Sequence, residues 1–177
     1  MRVTTILLIA ALLMGLAILD TSMAKSRPVK HVNNSALMAL GGEFRTVFAN
    51  LLWIKAEHYH HEFIAHDPDW AKNTDVLGLD RLITKLDPHF DEAYASGARM
   101  LTETGKLKEA RAFLEEGITN NPNSMMLHDE FGTFLARHLH DYDDSLFHLK
   151  RAYFLADDDW DRCRLGKLIK TVEGMAK

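Results

Sequence analysis

Residues 88–122 decide the fold, and they read PHFDEAYASGARMLTETGKLKEARAFLEEGITNNP. The stretch begins and ends with a proline, Pro88 and Pro122. Between them, apolar residues recur at three- and four-residue steps, which predicts two helices, about 91–104 and about 108–119, joined by a turn at Gly105. Side-chain size also follows a pattern, large-small-large on the first helix and then small-large-small on the second: Tyr94, Gly97, Ala98 and Leu101, followed by Ala110, Leu114 and Gly117.

This arrangement resembles a tetratricopeptide repeat, a paired-helix unit with a period of about 34 residues, which is also the spacing between Pro88 and Pro122. We call this spacing the repeat period. The match is strong for 88–122, fair for 123–156 and weak before 88. The resemblance implies right-handed stacking of helical hairpins, with a concave groove lined mainly by the first helix of each hairpin. It therefore implies a protein that holds other proteins, and it carries no catalytic residues over to this chain.

The residues before this repeat predict an irregular first hairpin. A helix is predicted from Glu43 to about His66, with an apolar stripe that ends at Asp67-Pro68-Asp69 because proline disfavours helix in the residue before it. A second helix is predicted from about 73 to Leu86. The stripe of the first helix contains these residues: Phe44, Val47, Phe48, Leu51, Leu52, Ala56, Tyr59 and Phe63.

The residues after Pro122 predict a third hairpin with one extra residue between its helices, Tyr142 in its turn, and a closing helix over about 160–172. Ser145, Leu149 and Ala152 repeat the small-large-small pattern on the second helix of this hairpin. The predicted fold class is therefore an all-α solenoid of about three tetratricopeptide-like hairpins and a closing helix. It occupies residues 43–177, after a linker at 25–42.

Composition narrows the functional classes. The chain has 177 residues, of which 47% are hydrophobic and 26% charged, as in a folded protein with an apolar core. A formal net charge of −4 gives no electrostatic support to nucleic-acid binding. The single cysteine, Cys163, excludes an internal disulfide framework and zinc sites built from several cysteines.

The N-terminus predicts a targeting or anchoring segment, residues 1–24. Arg2 precedes an uncharged run, Val3–Leu19, that is at the short limit for a membrane span. Ser22-Met23-Ala24 offers a signal-peptidase site, so both an uncleaved anchor and a cleaved signal peptide remain open. Both alternatives predict a bacterial periplasmic domain, attached in the first case to the inner membrane by a single N-terminal span.

A second resemblance supports this location. The segment 44–56, FRTVFANLLWIKA, together with Leu86-Asp87-Pro88-His89-Phe90, is similar to a group of membrane-anchored bacterial proteins with tetratricopeptide repeats. Members of this group carry an apolar N-terminal segment before the repeats. The resemblance implies a periplasmic or membrane-associated helical scaffold.

The densest polar cluster of the sequence lies between His58 and His66. Pairs of histidine and glutamate one helical turn apart could offer two metal ligands on one face. A zincin motif is excluded, because the second histidine that it requires would fall at Ala65. A metal- or haem-handling site remains an alternative to a solvated helix face, which we prefer, and we predict no cofactor, no small-molecule substrate and no enzyme activity.

The predicted function is a non-enzymatic scaffold that binds a peptide or protein subunit in the concave groove. An accessory structural subunit of a larger membrane complex, bound through the convex surface, is the alternative. The groove-lining residues predicted from the helix pattern are His58, His61, Glu62, Arg99, Glu103, His128, Glu130 and Arg137.

Overall fold

A computed structural model describes residues 44–59 and 75–176, which belong to one compact unit. This part of the chain contains seven α-helices and no strand. The helices are α1 (Arg45–Tyr59), α2 (Asp75–Leu86), α3 (Asp91–Glu103), α4 (Leu107–Asn120), α5 (Met125–Phe134), α6 (Tyr142–Leu155) and α7 (Asp159–Met175). Consecutive helices pair as the hairpins α1–α2, α3–α4 and α5–α6, and α7 packs on α6. The all-helical fold class is confirmed for these residues.

Short polar residues fix where several helices begin. The Ser124 hydroxyl accepts a hydrogen bond from the Leu127 amide (3.2 Å), and the Asp158 carboxylate accepts one from the Asp161 amide (2.7 Å). Each bond satisfies an amide that has no partner within its own helix. After α3, Gly105 adopts φ +75°, a left-handed conformation that turns the chain toward α4.

Small residues set the distances between paired helices, as the size pattern predicts. A Cβ atom on Gly117 would lie 2.9 Å from Cγ of Tyr94, and one on Gly132 would lie 2.7 Å from Cγ of Leu149. Both distances are shorter than a carbon–carbon contact allows, so each glycine permits a close helix approach. Tyr94 and Leu149 are fully buried at these crossings.

The first helices of successive hairpins start one repeat period apart, at Asp91 and Met125, and α7 starts one further period along the chain, at Asp159. Helix α7 therefore occupies the register of a fourth first helix. The starts of the second helices, Leu107 and Tyr142, are separated by one residue more than the repeat period. A π-helical turn, Leu135–Leu139, absorbs this extra residue of the third hairpin. Tyr142 is the first residue of α6, and not a turn residue as predicted.

The first hairpin differs most from its prediction. Ala56 is buried and Leu52 packs against the core, whereas Phe44 and Val47, at the N-terminal end of the predicted apolar stripe, are exposed. Ala49 instead occupies the core. The predicted segments 1–24 and 25–42 and the end of the first helix lie outside the described residues. Among the helices that the structure describes, none is long and apolar enough to cross a membrane.

Candidate partner-binding surface

The first helices of the hairpins are joined side by side through ion pairs. Nε of Arg99 on α3 lies 2.9 Å from a carboxylate oxygen of Glu130 on α5. One helix further, Nη2 of Arg164 on α7 lies 2.7 Å from a carboxylate oxygen of Asp129 on α5. The three helices α3, α5 and α7 therefore present one shared layer, and α5 contributes a carboxylate toward each neighbour.

The repeat register defines the surface of this layer. Residues at steps of three and four along a helix lie on one face, and the two ion pairs identify which face it is. We call this surface the first-helix face. It comprises Glu92, Ser96, Arg99, Thr102 and Glu103 of α3; Met126, Asp129, Glu130, Thr133 and Arg137 of α5 and its π turn; and Trp160, Cys163, Arg164, Lys167, Lys170 and Thr171 of α7.

Four of the predicted groove residues lie on this face. Arg99 and Glu130 form the ion pair that joins α3 to α5. Glu103 and Arg137 are exposed and occupy equivalent positions, one repeat period apart. These four residues thus share one surface, and whether a partner binds there stays a prediction.

The other predicted groove residues are not placed on this face. His58 is exposed on α1, whereas His61 and Glu62 lie outside the described residues. His128 is only 5% exposed, and its ring lies between α5 and α6. The prediction that His128 lines the groove is wrong, because it occupies the core position that Tyr94 holds one repeat period earlier.

His128 forms a hydrogen-bonded pair with His148 of α6. Their Nδ1 atoms are 2.9 Å apart, and their ring centroids are 5.1 Å apart. Nε2 of His128 donates to the Pro122 carbonyl at 3.2 Å, which leaves its Nδ1 to accept the hydrogen bond from His148. Burial lowers the pKa of His128 and lowers the pKa of His148 to about 4, so both rings are neutral near pH 7.

Asp80 is a second polar residue at a core position. Val76, Asp80 and Ile83 of α2 repeat the four-then-three spacing of Ala110, Leu114 and Gly117, so Asp80 takes the place of Leu114. Its side chain is fully buried; Oδ2 accepts a hydrogen bond from the Ser96 hydroxyl at 3.0 Å, and Oδ1 has no partner. Burial raises the pKa of Asp80 to about 7.

Sequence reasoning missed the part of the first-helix face that belongs to α7. Trp160 is 71% exposed, and the guanidinium carbon of Arg164 lies 5.6 Å from its ring centroid. Hydrogen bonding to Asp129 raises the pKa of Arg164. Extending the repeat period from Met126 to Trp160, and from Glu130 to Arg164, would have placed both residues on this face.

The chemistry of the first-helix face is that of charged and aromatic side chains. Within residues 44–59 and 75–176, no group of three or more histidine, cysteine, aspartate or glutamate side chains is arranged to hold a metal ion. The first-helix face offers instead a row of paired charges, exposed charged side chains and one exposed tryptophan. Such a surface can recognise an extended chain by charge and by an aromatic contact.

Comparison with solved structures identifies the fold. The chain is similar to the TPR2B domain of yeast Sti1 in its complex with pHsp70, with 18% identity and a TM-score of 0.55 over 76% of this chain and 97% of that chain. It is also similar to the TPR2AB domain of yeast Sti1 in its complex with pHSP90, with 17% identity and a TM-score of 0.57 over 93% of this chain and 55% of that chain. The described residues therefore have the fold of tetratricopeptide-repeat domains.

No family model matches the sequence, and no curated protein matches it.

Proposed function

We propose that this protein is a non-enzymatic interaction scaffold that binds an extended segment of a partner protein on its first-helix face. The observation that carries the proposal is the continuity of this face across α3, α5 and α7, held in register by the Arg99–Glu130 and Arg164–Asp129 ion pairs. The similar solved structures support it, because both are complexes of a tetratricopeptide-repeat domain with a partner, pHsp70 in one case and pHSP90 in the other.

A stacked array suits this role for a physical reason. Each hairpin contacts mainly its neighbours, so the array builds a long surface without needing a closed core. Affinity would come from a few anchors, and the surrounding charged side chains would set register and specificity. Glu103 and Arg137, both exposed, are candidates for such specificity contacts.

We further propose that the scaffold works at the periplasmic side of a bacterial inner membrane. The support is the uncharged run Val3–Leu19 and the resemblance of residues 44–56 and 86–90 to anchored bacterial repeat proteins. Fractionation of the native cells, with and without carbonate extraction, tests this location. Recovery of the full-length chain in the cytosolic fraction would contradict it.

Site-specific photo-crosslinking in native cells tests the binding surface. A photoreactive phenylalanine analogue at Glu103, on the first-helix face, is expected to trap a partner. The same analogue at Lys108, exposed at the start of α4, is the matched control. The double variant Arg99→Glu, Arg137→Glu should abolish the crosslink from position 103, and an unchanged crosslink would count against this surface.

One observation favours the alternative, a structural subunit bound through the second helices. Phe147 and Phe154 lie one heptad apart on the same face of α6, and they are 66% and 76% exposed. Exposed aromatic residues of this size are typical of protein interfaces. Photo-crosslinking from position 147, with none from position 103, would support this second function in place of the first.

A further inference from the structure

We infer that the α7 end of the first-helix face receives an acidic segment of the partner, with one aromatic or large apolar side chain that packs on Trp160. This inference rests on the proposed function and specifies the chemistry of the bound segment. It follows from the distribution of charge along the face, from the ion pairs that neutralise part of that charge, and from the exposure of Trp160.

Charge is distributed unevenly along the face. On α3 the face carries Arg99 against two carboxylates, Glu92 and Glu103. On α5 and its π turn it carries one arginine against two carboxylates. On α7 it carries three cations, Arg164, Lys167 and Lys170, and the Asp161 carboxylate lies 3.1 Å from Arg164. The face therefore changes from net acidic to net basic along the stack.

The ion pairs between helices sharpen this contrast. Glu130 neutralises Arg99, and Asp129, together with Asp161 of α7 itself at 3.1 Å, neutralises Arg164. Lys167 and Lys170 are exposed, and across residues 44–59 and 75–176 neither ammonium group lies within ion-pairing distance of a carboxylate. The basic charge that remains at this end is thus available to a ligand.

Arg137 extends the same basic region onto the neighbouring helix. It lies one repeat period before Thr171. Its position therefore corresponds to that of Thr171 on α7, which is next to Lys170. The guanidinium group is exposed at the π turn that follows α5. Three cations on two adjacent helices can contact carboxylates spaced along an extended chain.

Trp160 lies at the N-terminal end of α7, before the lysines, and supplies an aromatic anchor for a bound segment. It is 71% exposed although it is among the side chains that bury most apolar area on contact. Arg164 covers one side of its ring. Tryptophan and arginine are among the residue types most enriched at positions that dominate binding energy at interfaces, and this pair stands beside the lysines on one helix.

The anionic partner is a protein segment in preference to a nucleic acid. Carboxylates border the basic region: Glu130 and Asp129 lie on the adjacent helix, and the whole chain has a net charge of −4. A phosphate backbone would meet these carboxylates along its length, since it places charge at every step. A short acidic segment matches three cations without that repulsion.

Fluorescence anisotropy of a labelled peptide tests the inference on the full chain. The probe is a seven-residue peptide with phenylalanine at its centre and aspartate or glutamate elsewhere, and its counterpart has lysine in the acidic positions. We expect saturable binding of the acidic peptide at about 50 mM salt, where exposed charges still act over more than about 10 Å. The lysine peptide should not bind there.

Charge reversal and anchor removal give separate readouts. Lys167→Glu with Lys170→Glu should weaken acidic-peptide binding about tenfold or more, since two exposed charge contacts are lost and two repulsive ones appear. Trp160→Ala should weaken it by about tenfold, the effect of losing an aromatic anchor. Lys106→Glu with Lys108→Glu, which changes net charge equally at the start of α4, should change binding less than about twofold.

The outcomes separate this inference from the proposed function. Equal weakening by the α4 control and the α7 variant, or equal binding of a short oligothymidylate, would show non-specific attraction and overturn the inference. The inference also fails if the segment crosslinked from position 103 in cells proves neutral or basic, although the proposed function then stands. Loss of the position-103 crosslink altogether, with acidic-peptide binding intact, would overturn the proposed function instead. Circular dichroism of each variant confirms that its helices form.

Discussion

Asp80 gives a prediction whose size follows from the structure. Its pKa rises from 3.8 to about 7 because its carboxylate is buried with one unpaired oxygen. A folded-state pKa above the unfolded value means that the folded chain binds this proton more tightly. The stability that this group contributes is therefore fully present below about pH 4, falls as the pH rises toward 7, and is constant above that value.

The magnitude is about 4 kcal/mol, because each pKa unit corresponds to about 1.4 kcal/mol and the shift is about three units. Asp80→Asn removes the ionisation and keeps the size of the side chain. The amide oxygen still accepts the Ser96 hydroxyl hydrogen bond. Its NH₂ group replaces the unpaired oxygen and leaves an unsatisfied donor, which shifts stability by a constant amount of about 1–3 kcal/mol at every pH. The variant should gain stability relative to the wild type, by about 4 kcal/mol, as the pH rises from 4 to 8.

Urea unfolding at half-unit pH intervals, followed by circular dichroism, measures this difference. Taking the difference between variant and wild type cancels the contribution of every other titrating group. Asp157→Asn, an exposed aspartate between α6 and α7, is the matched control and should change stability by less than about 0.5 kcal/mol throughout. Parallel pH profiles for the wild type and Asp80→Asn would refute the burial argument.

Three further predictions concern packing, a buried histidine and a helix cap. Gly117→Ala should destabilise the protein by about 2 kcal/mol, since the new Cβ would meet Tyr94 at 2.9 Å, whereas Gly78→Ala, with no atom within 4 Å, should stabilise it by up to about 1 kcal/mol. Both are read from thermal unfolding. His148→Phe should reduce the loss of stability between pH 6.5 and about 4, where the wild type must protonate a neutral buried histidine; we expect about 2 kcal/mol in urea titrations after solvent screening of this half-buried ring. Ser124→Ala should lower the free energy of unfolding by about 1 kcal/mol, and no change would mean that the cap at Leu127 is replaced by water.

Local pattern predicts the middle hairpin to within one residue at each of its helix ends. The expected ranges, about 91–104 and about 108–119, compare with Asp91–Glu103 and Leu107–Asn120. These helices are amphipathic, and they end at Gly105 and before Pro122. The apolar periodicity, the glycine and the proline all lie within or next to the helices whose bounds they set. The bounds can therefore be predicted without knowing how other segments pack.

Helix α2 shows where single-face reasoning fails. Its buried side is expected to consist of apolar residues such as Leu79, Leu82 and Ile83. Asp80 and Thr84 are buried as well, because α2 lies between α1 and α3 and is covered on more than one side. A one-stripe pattern describes a helix with a single packed face, so a polar residue on a second packed face is assigned to solvent.

Four of the eight predicted groove residues lie on the first-helix face. Arg99, Glu103, Glu130 and Arg137 follow from the faces of two regular helices. Sequence reasoning misplaces His128 because it assigns a histidine to solvent, although Tyr94, one repeat period earlier, is recognisable as a core residue.

Tyr94, His128 and Arg162 occupy equivalent positions of α3, α5 and α7. They show how helices that repeat the same backbone arrangement can carry different polar side chains at one position. These residues follow one another at the repeat period on three first helices. Each carries a polar group that reaches a neighbouring element: the Tyr94 hydroxyl donates to Glu116 at 3.2 Å, His128 meets His148, and the Arg162 guanidinium donates to the Ala156 carbonyl at 2.8 Å.

Burial decides which polar group this position tolerates. Tyr94 and His128 lie between two helices and are neutral, whereas Arg162 on α7 is exposed and keeps its charge. On α7 the exposed Arg162 keeps its charge at the position where α3 and α5 carry uncharged side chains. Trp160, Lys167 and Lys170 are exposed on the same helix, as Arg99 is at the position of α3 that corresponds to Lys167. The chemistry that distinguishes a partner is therefore expected at exposed positions such as those of α7, and the regular hairpins fix where that chemistry is presented.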